Sequence, residues 1–248
     1  MAKHQMTVYG HRGAAGEAPE NTIAGCRHAI GRGVRQLEID LRLSAEDELV
    51  ILHDKTVSRT TNSRGKVSSF TNKQLAKLDA RADGPLWPNK VDTGIPTLDA
   101  LLTATPEVTH YQLEVKPDSV KMMRTIATLL AEKFPDEEAA ERVVITSSNS
   151  DFHKILRSTA PYLQRGMVAS RPNTFKAAVE LECHYYCMHW ANCNPYFIRQ
   201  IKKSGMIISV WTVNETQLIK NLHKMKIPSI ITDYPSMALP LISSIERD

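Results

Sequence analysis

Strand-like and helix-like patterns take turns along the entire chain, and this alternation constrains the fold more than any other feature. Apolar, β-branched runs near 6–10, 36–43 with 49–53, 111–116, 143–147, 164–168, 184–188, 207–213 and 229–232 read as strands. Helical periodicity falls between them, near 22–31, 97–104, 119–133, 150–158, 173–181, 195–204, 215–225 and 235–245. A helix after each strand returns the chain to begin a parallel neighbour, and about eight such units close into a (β/α)8 TIM barrel. The 248 residues match the length of such a barrel and point to a single domain over 1–248. A doubly wound open sheet is the competing arrangement.

Local signals agree with the alternation. Thr22 after Pro19-Glu20-Asn21, the capping box Thr71-Asn72-Lys73-Gln74 and the pair Pro96-Thr97 mark helix starts. Gly33 and Gly205 sit where the return loops need a left-handed residue. One connection breaks the rhythm. From Asp54 to about His110 the chain far exceeds one crossover, with a turn at Asn62-Ser63-Arg64-Gly65, a helix over 72–79 and a Gly/Pro-rich stretch from Gly84 to Pro96. We expect a small insertion, about 54–96, lying over the barrel mouth.

Two strand segments divide their faces sharply. Side chains alternate across a strand, so Glu38 and Asp40 share one face, and Glu114 and Lys116 share one face of strand three. Leu37, Ile39, Leu41, Leu43, Leu113 and Val115 form the opposite, apolar face, suited to packing under helices. Three gathered carboxylates repel and are costly to desolvate unless a cation neutralises them, and oxygen-only ligands suit a hard divalent ion, Mg²⁺ or Ca²⁺, with Mn²⁺ also accepted.

Composition excludes other classes. Lysine and arginine number 31 against 27 acids, well mixed, which is no nucleic-acid footprint. No apolar run is long enough for a membrane span, and the first residues lack the apolar stretch and cleavage site of an export signal, so we expect a cytoplasmic protein. The four cysteines Cys26, Cys183, Cys187 and Cys193 are too few and uneven for a disulfide framework. Cys183, His184, Cys187, His189 and Cys193 lack the paired short spacing of a zinc site, and alternation would scatter them over two faces. Oligomeric state is not legible.

Barrel enzymes take their reacting groups from the C-terminal ends of several strands. His11-Arg12-Gly13 after the first strand, Glu38 and Asp40 in the second, His53-Asp54 after Leu49–Leu52, Glu114 and Lys116 in the third and Trp211 in the seventh all fall there. Two histidines beside a metal point to proton transfer, and Arg12 and Lys116 beside the acids supply charge to hold a phosphate. Together they answer the needs of phosphodiester hydrolysis: neutralised phosphate oxygens, an activated nucleophile and a protonated leaving group. Lys116 as a plain ion-pair partner and Trp211 as a core residue are the simpler readings of those two positions.

An ordered series of short motifs then carries a family resemblance. His11-Arg12-Gly13-Ala14, Ala18-Pro19-Glu20-Asn21-Thr22, Glu38-Ile39-Asp40, His53-Asp54, Arg59-Thr60-Thr61, Ile95-Pro96-Thr97-Leu98, Leu113-Glu114-Val115-Lys116, Trp211-Thr212-Val213-Asn214 and Ile231-Thr232-Asp233-Tyr234-Pro235 resemble the glycerophosphodiester phosphodiesterases over nearly the whole chain. The resemblance implies that His11 and His53 form the acid–base pair and that Glu38, Asp40 and Glu114 bind one divalent cation. It further implies that Arg12 and Lys116 contact phosphate and that Trp211 faces the glycerol moiety of a small glycerophosphodiester. The stretch Cys183–Cys193 does not match the family pattern, and it falls where later strands shape the alcohol pocket. The alternatives are a lysophospholipase D-type or inositol-lipid phosphodiesterase on the same fold, or a barrel that binds a ligand without catalysis.

Overall fold

The structure, a computed structural model, describes residues 5–247, so the reading of the first four residues lies outside it. Its elements follow in chain order as β1 (Thr7–His11), α1 (Ile23–Gly31), β2 (Gln36–Leu43), β3 (Leu49–Ile51), α2 (Asn72–Ala76), α3 (Leu98–Ala104), β4 (His110–Val115), α4 (Val120–Lys133) and α5 (Glu137–Ala140). The chain continues through β5 (Val143–Ser147), α6 (Ser150–Thr159), β6 (Arg165–Ala169), α7 (Phe175–Glu180), β7 (Tyr185–His189), α8 (Pro195–Lys203), β8 (Ile207–Trp211), α9 (Thr216–Lys224), β9 (Ser229–Thr232) and α10 (Pro235–Arg247).

Eight parallel strands close into a ring in the order β1-β9-β8-β7-β6-β5-β4-β2, with β1 pairing back onto β2. This is the (β/α)8 barrel expected from the alternation, not the open sheet. Register brings His11 opposite Glu38, Glu38 opposite Gln112 and Asp40 opposite Glu114. One face of β2 and β4 therefore delivers its polar side chains to the barrel interior. The other face, with Leu37, Ile39, Leu41, Leu43, Leu113 and Val115, is buried beneath α1, α3 and α4 together with Cys26, Leu98, Leu101, Ile126 and Leu130.

The helices start where side chains can satisfy their first free N–H groups. Thr22 accepts from Gly25, Thr71 forms the expected capping box with Gln74, and Thr97, Ser119, Asn149 and Asn194 cap α3, α4, α6 and α8. The expected helix over 72–79 ends at Ala76. The single turn Glu137–Ala140 lacks any apolar period and escaped the pattern reading.

Two features depart from eight simple βα units. The end of β2, Arg42 and Leu43, outruns the ring, and Leu41–Leu43 pair with β3, which is antiparallel and stands outside the barrel, with Leu41 opposite Ile51. His53 therefore follows a hairpin's return strand, not a barrel strand. The segment after it builds its own apolar cluster from Val50, Leu52, Val57, Val67, Leu75 and Ile95, with Phe70 and Leu78 packed against it. Trp87, the other large aromatic of this segment, lies edge-on to His28 of α1 at 5.7 Å.

The barrel floor is sealed by hydrogen-bonded polar groups. Tyr9 Oη lies 2.9 Å from His110 Nδ1, and the His110 ring stacks on Tyr185. Above them Gln112 Nε2 donates to Ser209 Oγ at 2.9 Å, and the Cys187 thiol donates to Gln112 Oε1. Cys183 and Cys187 are buried free thiols, as packing of that stretch as a strand requires. No helix among the described residues is long and apolar enough to cross a membrane.

Candidate active site

The loop from β1 to α1 makes the sharpest local turn of the site. Gly13 has φ +90°, and a Cβ there would come within 3.0 Å of the Cys26 backbone nitrogen, so only glycine lets the loop pack on α1. Arg12 and Asn21 also adopt left-handed backbone, with φ 50° and 54°, a conformation that costs free energy and persists where the surroundings enforce it. The enforcement is visible. Asn21 N–H donates to the Arg12 carbonyl, Arg12 N–H donates to Glu38 Oε2 at 3.1 Å, and Asn21 Nδ2 donates to Asp40 Oδ2 at 2.8 Å. The loop thereby holds two acids of β2 in place.

Glu38, Asp40 and Glu114 each offer an oxygen within 4.8 Å of the others. Glu38 and Asp40 are 4% and 1% exposed, so water does little to soften their repulsion. Burial and the neighbouring Asp40 push the Glu38 carboxyl well above the usual carboxylate range. Burial works against the Asp40 carboxylate too, but Lys116 and Arg12 beside it hold its carboxyl below that range. Lys116 Nζ sits 2.7 Å from Glu114 and 3.2 Å from Asp40. The Glu38 Oε1 atom is buried without any hydrogen-bond donor. An oxygen-only donor set with an unpaired buried carboxylate oxygen fits a hard divalent cation.

Two histidines flank this cluster, and each is backed by an aspartate. His11 Nδ1 lies 2.5 Å from Asp233 Oδ1, with its Nε2 3.8 Å from Glu38. Burial opposes the imidazolium of His11, but the Asp233 hydrogen bond and the Glu38 charge outweigh it and raise the pKa above its ordinary value. His53 Nδ1 lies 2.6 Å from Asp54 Oδ1. Burial would raise the Asp54 carboxyl, yet hydrogen bonds from Arg59 and His53 bring it down to about 2. In both pairs Nδ1 is engaged and Nε2 remains for chemistry.

Arg59, inside the insertion, joins the two halves. Its guanidinium bonds Glu20 of the first loop at 2.7 Å, Asp54 at 2.7 Å and Asp83 at 2.8 Å, and Glu20 in turn accepts from Arg12 at 2.9 Å. Arg12 Nε lies 3.2 Å from Asp40 Oδ2 but is not aligned for a hydrogen bond and is buried without one. A cavity of about 270 Å³ opens between these groups, lined by His11, Arg12, Glu38, His53, Glu114, Lys116 and Trp211 among others. Trp211 is anchored by its indole N–H to the Cys187 carbonyl, packs against the buried cluster of Val144, Tyr185 and Cys187, and is partly exposed to the cavity.

All eight residues singled out from the sequence thus meet at one mouth. Sequence reasoning quoted Asp233 and Asn214 within the motif series without giving either a role, and it missed Arg42. Asn214 Nδ2 donates to Asp233 Oδ2 at 2.6 Å and fixes the acid behind His11. Arg42 is 7% exposed; its Nε donates to the His53 carbonyl at 2.9 Å and its Nη1 to the Lys116 carbonyl at 3.0 Å. Arg42 continues the inward-facing series of Glu38 and Asp40, and that period was the signal that marks it.

A carboxylate cluster at the C-terminal mouth of a (β/α)8 barrel, flanked by two aspartate-backed histidines and two cations, defines a phosphoric ester hydrolase site. The sequence profile of the glycerophosphoryl diester phosphodiesterase family matches residues 11–237, and the chain belongs to that family of phosphoric diester hydrolases. It is 29% identical over 239 residues to a glycerophosphodiester phosphodiesterase of Caldanaerobacter subterraneus subsp. tengcongensis, covering 95% of this chain and 97% of the relative. A glycerophosphodiester phosphodiesterase of Bacillus subtilis is 26% identical over 254 residues, with 96% and 86% covered. Among solved structures, an Oleispira antarctica phosphodiesterase in complex with the product sn-glycerol-3-phosphate superposes with a TM-score of 0.83 at 24% identity, over 96% of this chain and 97% of that one. The glycerophosphodiester phosphodiesterase of Agrobacterium tumefaciens gives 0.78 at 24% identity, over 95% and 100%.

Proposed function

We propose that this protein hydrolyses small glycerophosphodiesters to glycerol 3-phosphate and an alcohol, using one divalent cation, Mg²⁺ or Ca²⁺, and the histidine pair His11 and His53. The observation that carries the reading is the conjunction around one cavity of three convergent carboxylates with two histidines whose Nδ1 atoms are engaged by Asp233 and Asp54. Glu38, Asp40 and Glu114 would hold the ion, which supplies charge neutralisation and polarisation of the phosphate when bound.

The remaining steps belong to the chain's own groups. Arg12, whose buried Nε makes no hydrogen bond beside Asp40, and Lys116 bind the non-bridging phosphate oxygens. One histidine removes the proton of the attacking oxygen at its Nε2, and the other donates a proton to the leaving alkoxide. His11, whose imidazolium Asp233 and Glu38 favour, is the better donor; His53 is then the base. One P–O bond forms and one breaks, and water's proton and hydroxyl are shared between alcohol and phosphate. Trp211 packs on the glycerol moiety. The four unpaired thiols support work in a reducing compartment such as the cytoplasm.

The test is release of glycerol phosphate from glycerophosphodiesters by EDTA-stripped protein, with and without Mg²⁺, Ca²⁺ or Mn²⁺. Turnover restored by one of these ions is the expected result. Absence of turnover with every ion and diester would remove the reading and leave a barrel that binds without cutting.

A further inference from the structure

Two chains of hydrogen bonds reach the cavity, and both start from one side chain. Arg59 carries five N–H donors, and three carboxylates take all five. Its Nε and Nη2 grip Asp54 at 2.7 and 3.3 Å, its Nη1 and Nη2 grip Glu20 at 2.9 and 2.7 Å, and the remaining Nη1 hydrogen goes to Asp83 at 2.8 Å. From Asp54 the first chain passes to the ring of His53, whose Nδ1 lies 2.6 Å away. From Glu20 the second passes to Nη1 of Arg12 at 2.9 Å. His53 and Arg12 line the cavity, whereas Arg59, Asp54 and Glu20 are not part of its lining among the described residues. The guanidinium therefore stands behind the site.

We propose that Arg59 is the positioning residue that sets His53 and Arg12 relative to one another, acting on the first through Asp54 and on the second through Glu20. The inference rests on the roles given above to His53 in proton transfer and Arg12 in phosphate binding. Those two residues stand on different pieces of chain. His53 and Asp54 follow β3, Arg12 and Glu20 lie in the loop after β1, and the Arg59 fork bonds the acids of both pieces. Among the described residues the Asp54 carboxylate bonds His53 and Arg59 alone, so without the guanidinium nothing else fixes the acid that orients the imidazole. Arg42 holds the His53 carbonyl, which places the backbone and leaves the ring to Asp54. His11 needs no such device, because Asn214 already fixes Asp233. A planar guanidinium can grip two carboxylates in pairs at once, and an ammonium cannot. Asp83, about half exposed, leads to neither His53 nor Arg12 and serves as the control position.

The experiment measures kcat, KM and the urea midpoint of the metal-loaded protein and its variants. Arg59→Ala is expected to lower kcat about 10- to 100-fold and to raise KM, the scale of losing the support behind a site group. Arg59→Lys should recover little of either. Asp54→Asn should act mainly on kcat and Glu20→Gln mainly on KM. Combining Asp54→Asn with Arg59→Ala should cost less kcat than the product of the two single losses, because both act through His53. Guanidinium ion at a non-denaturing concentration should return part of the kcat of Arg59→Ala where potassium at equal ionic strength does not, a rescue that a merely structural role would not give. Asp83→Ala should stay within about twofold of wild type. If Arg59→Ala shows no urea transition, Arg59→Lys, Asp54→Asn and Glu20→Gln carry the same comparison. Wild-type kcat and KM in Arg59→Ala, fully multiplicative losses in the double variant, or equal losses in Asp83→Ala overturn the inference and leave the hydrolase reading intact. Absence of turnover by the unaltered protein with every ion removes both together.

Discussion

His11 Nδ1 and Asp233 Oδ1 stand 2.5 Å apart although 222 residues separate them in the chain. His11 ends β1, Asp233 follows β9, and these strands meet only where the ring closes, Thr7 to Gly10 alongside Ser229 to Thr232. The same seam that completes the barrel thus assembles the pair, so barrel closure and the charge state of His11 are one event.

Asp233→Asn is expected to lower the His11 pKa, because Asp233 is what offsets the cost of burying the imidazolium. Histidine NMR titration of the metal-free variant should find the His11 midpoint shifted to lower pH, and kcat should fall about 10- to 100-fold. An unchanged midpoint would separate the aspartate from proton transfer.

Glu114→Ala is expected to abolish binding of the divalent ion and turnover together, since it removes one of three converging oxygens. His53→Ala should keep ion affinity by calorimetry while lowering kcat about 10²- to 10⁴-fold. Loss of ion affinity in His53→Ala would contradict the division of roles.

Arg42→Met should cost about 2–4 kcal/mol of stability and lower kcat, because one buried guanidinium holds both the His53 and Lys116 carbonyls. Arg42→Lys should recover little of either, since an ammonium cannot span two carbonyls in the plane of a guanidinium. Chemical denaturation and steady-state kinetics measure the two effects; wild-type kcat in either variant would show that the carbonyls need no such tie.

Stability is expected to fall as pH drops from about 6.5 to 4. His153 is fully buried, donates its Nε2–H to the Ser147 carbonyl, and burial depresses its pKa to about 4. Below pH 6.5 the unfolded chain takes up a proton that the folded chain refuses, so unfolding gains up to about 3 kcal/mol by pH 4 from this group alone. His110, also lowered to about 4 by burial, adds in the same direction. His153→Gln should flatten the acid slope in urea melts at pH 7 and pH 4.5; an unaltered slope would assign it to other groups.

Much of this site was legible because its signals are local. Alternation alone put Glu38 and Asp40 on one face, and the βα rhythm put β1, β2 and β4 side by side in a ring. The partner of each histidine was not local. The motif Ile231-Thr232-Asp233-Tyr234-Pro235 marks Asp233, but nothing in it names His11 as the partner, since only closure of the ring brings the two together. The direction of β3 was readable and overlooked: five residues, 44–48, separate it from β2, too few for a parallel crossover. Pairings such as Arg42 with two carbonyls depend on where loops end, which period-two patterning does not encode.

The second histidine rides on a segment with a separate apolar cluster, tied to the barrel by Arg42 below and by the Arg59 bridge to Glu20 above. The position of that histidine over the cavity is therefore set by how this segment is fastened, through the β2–β3 pairing, Arg42 and Arg59, and not by closure of the ring itself.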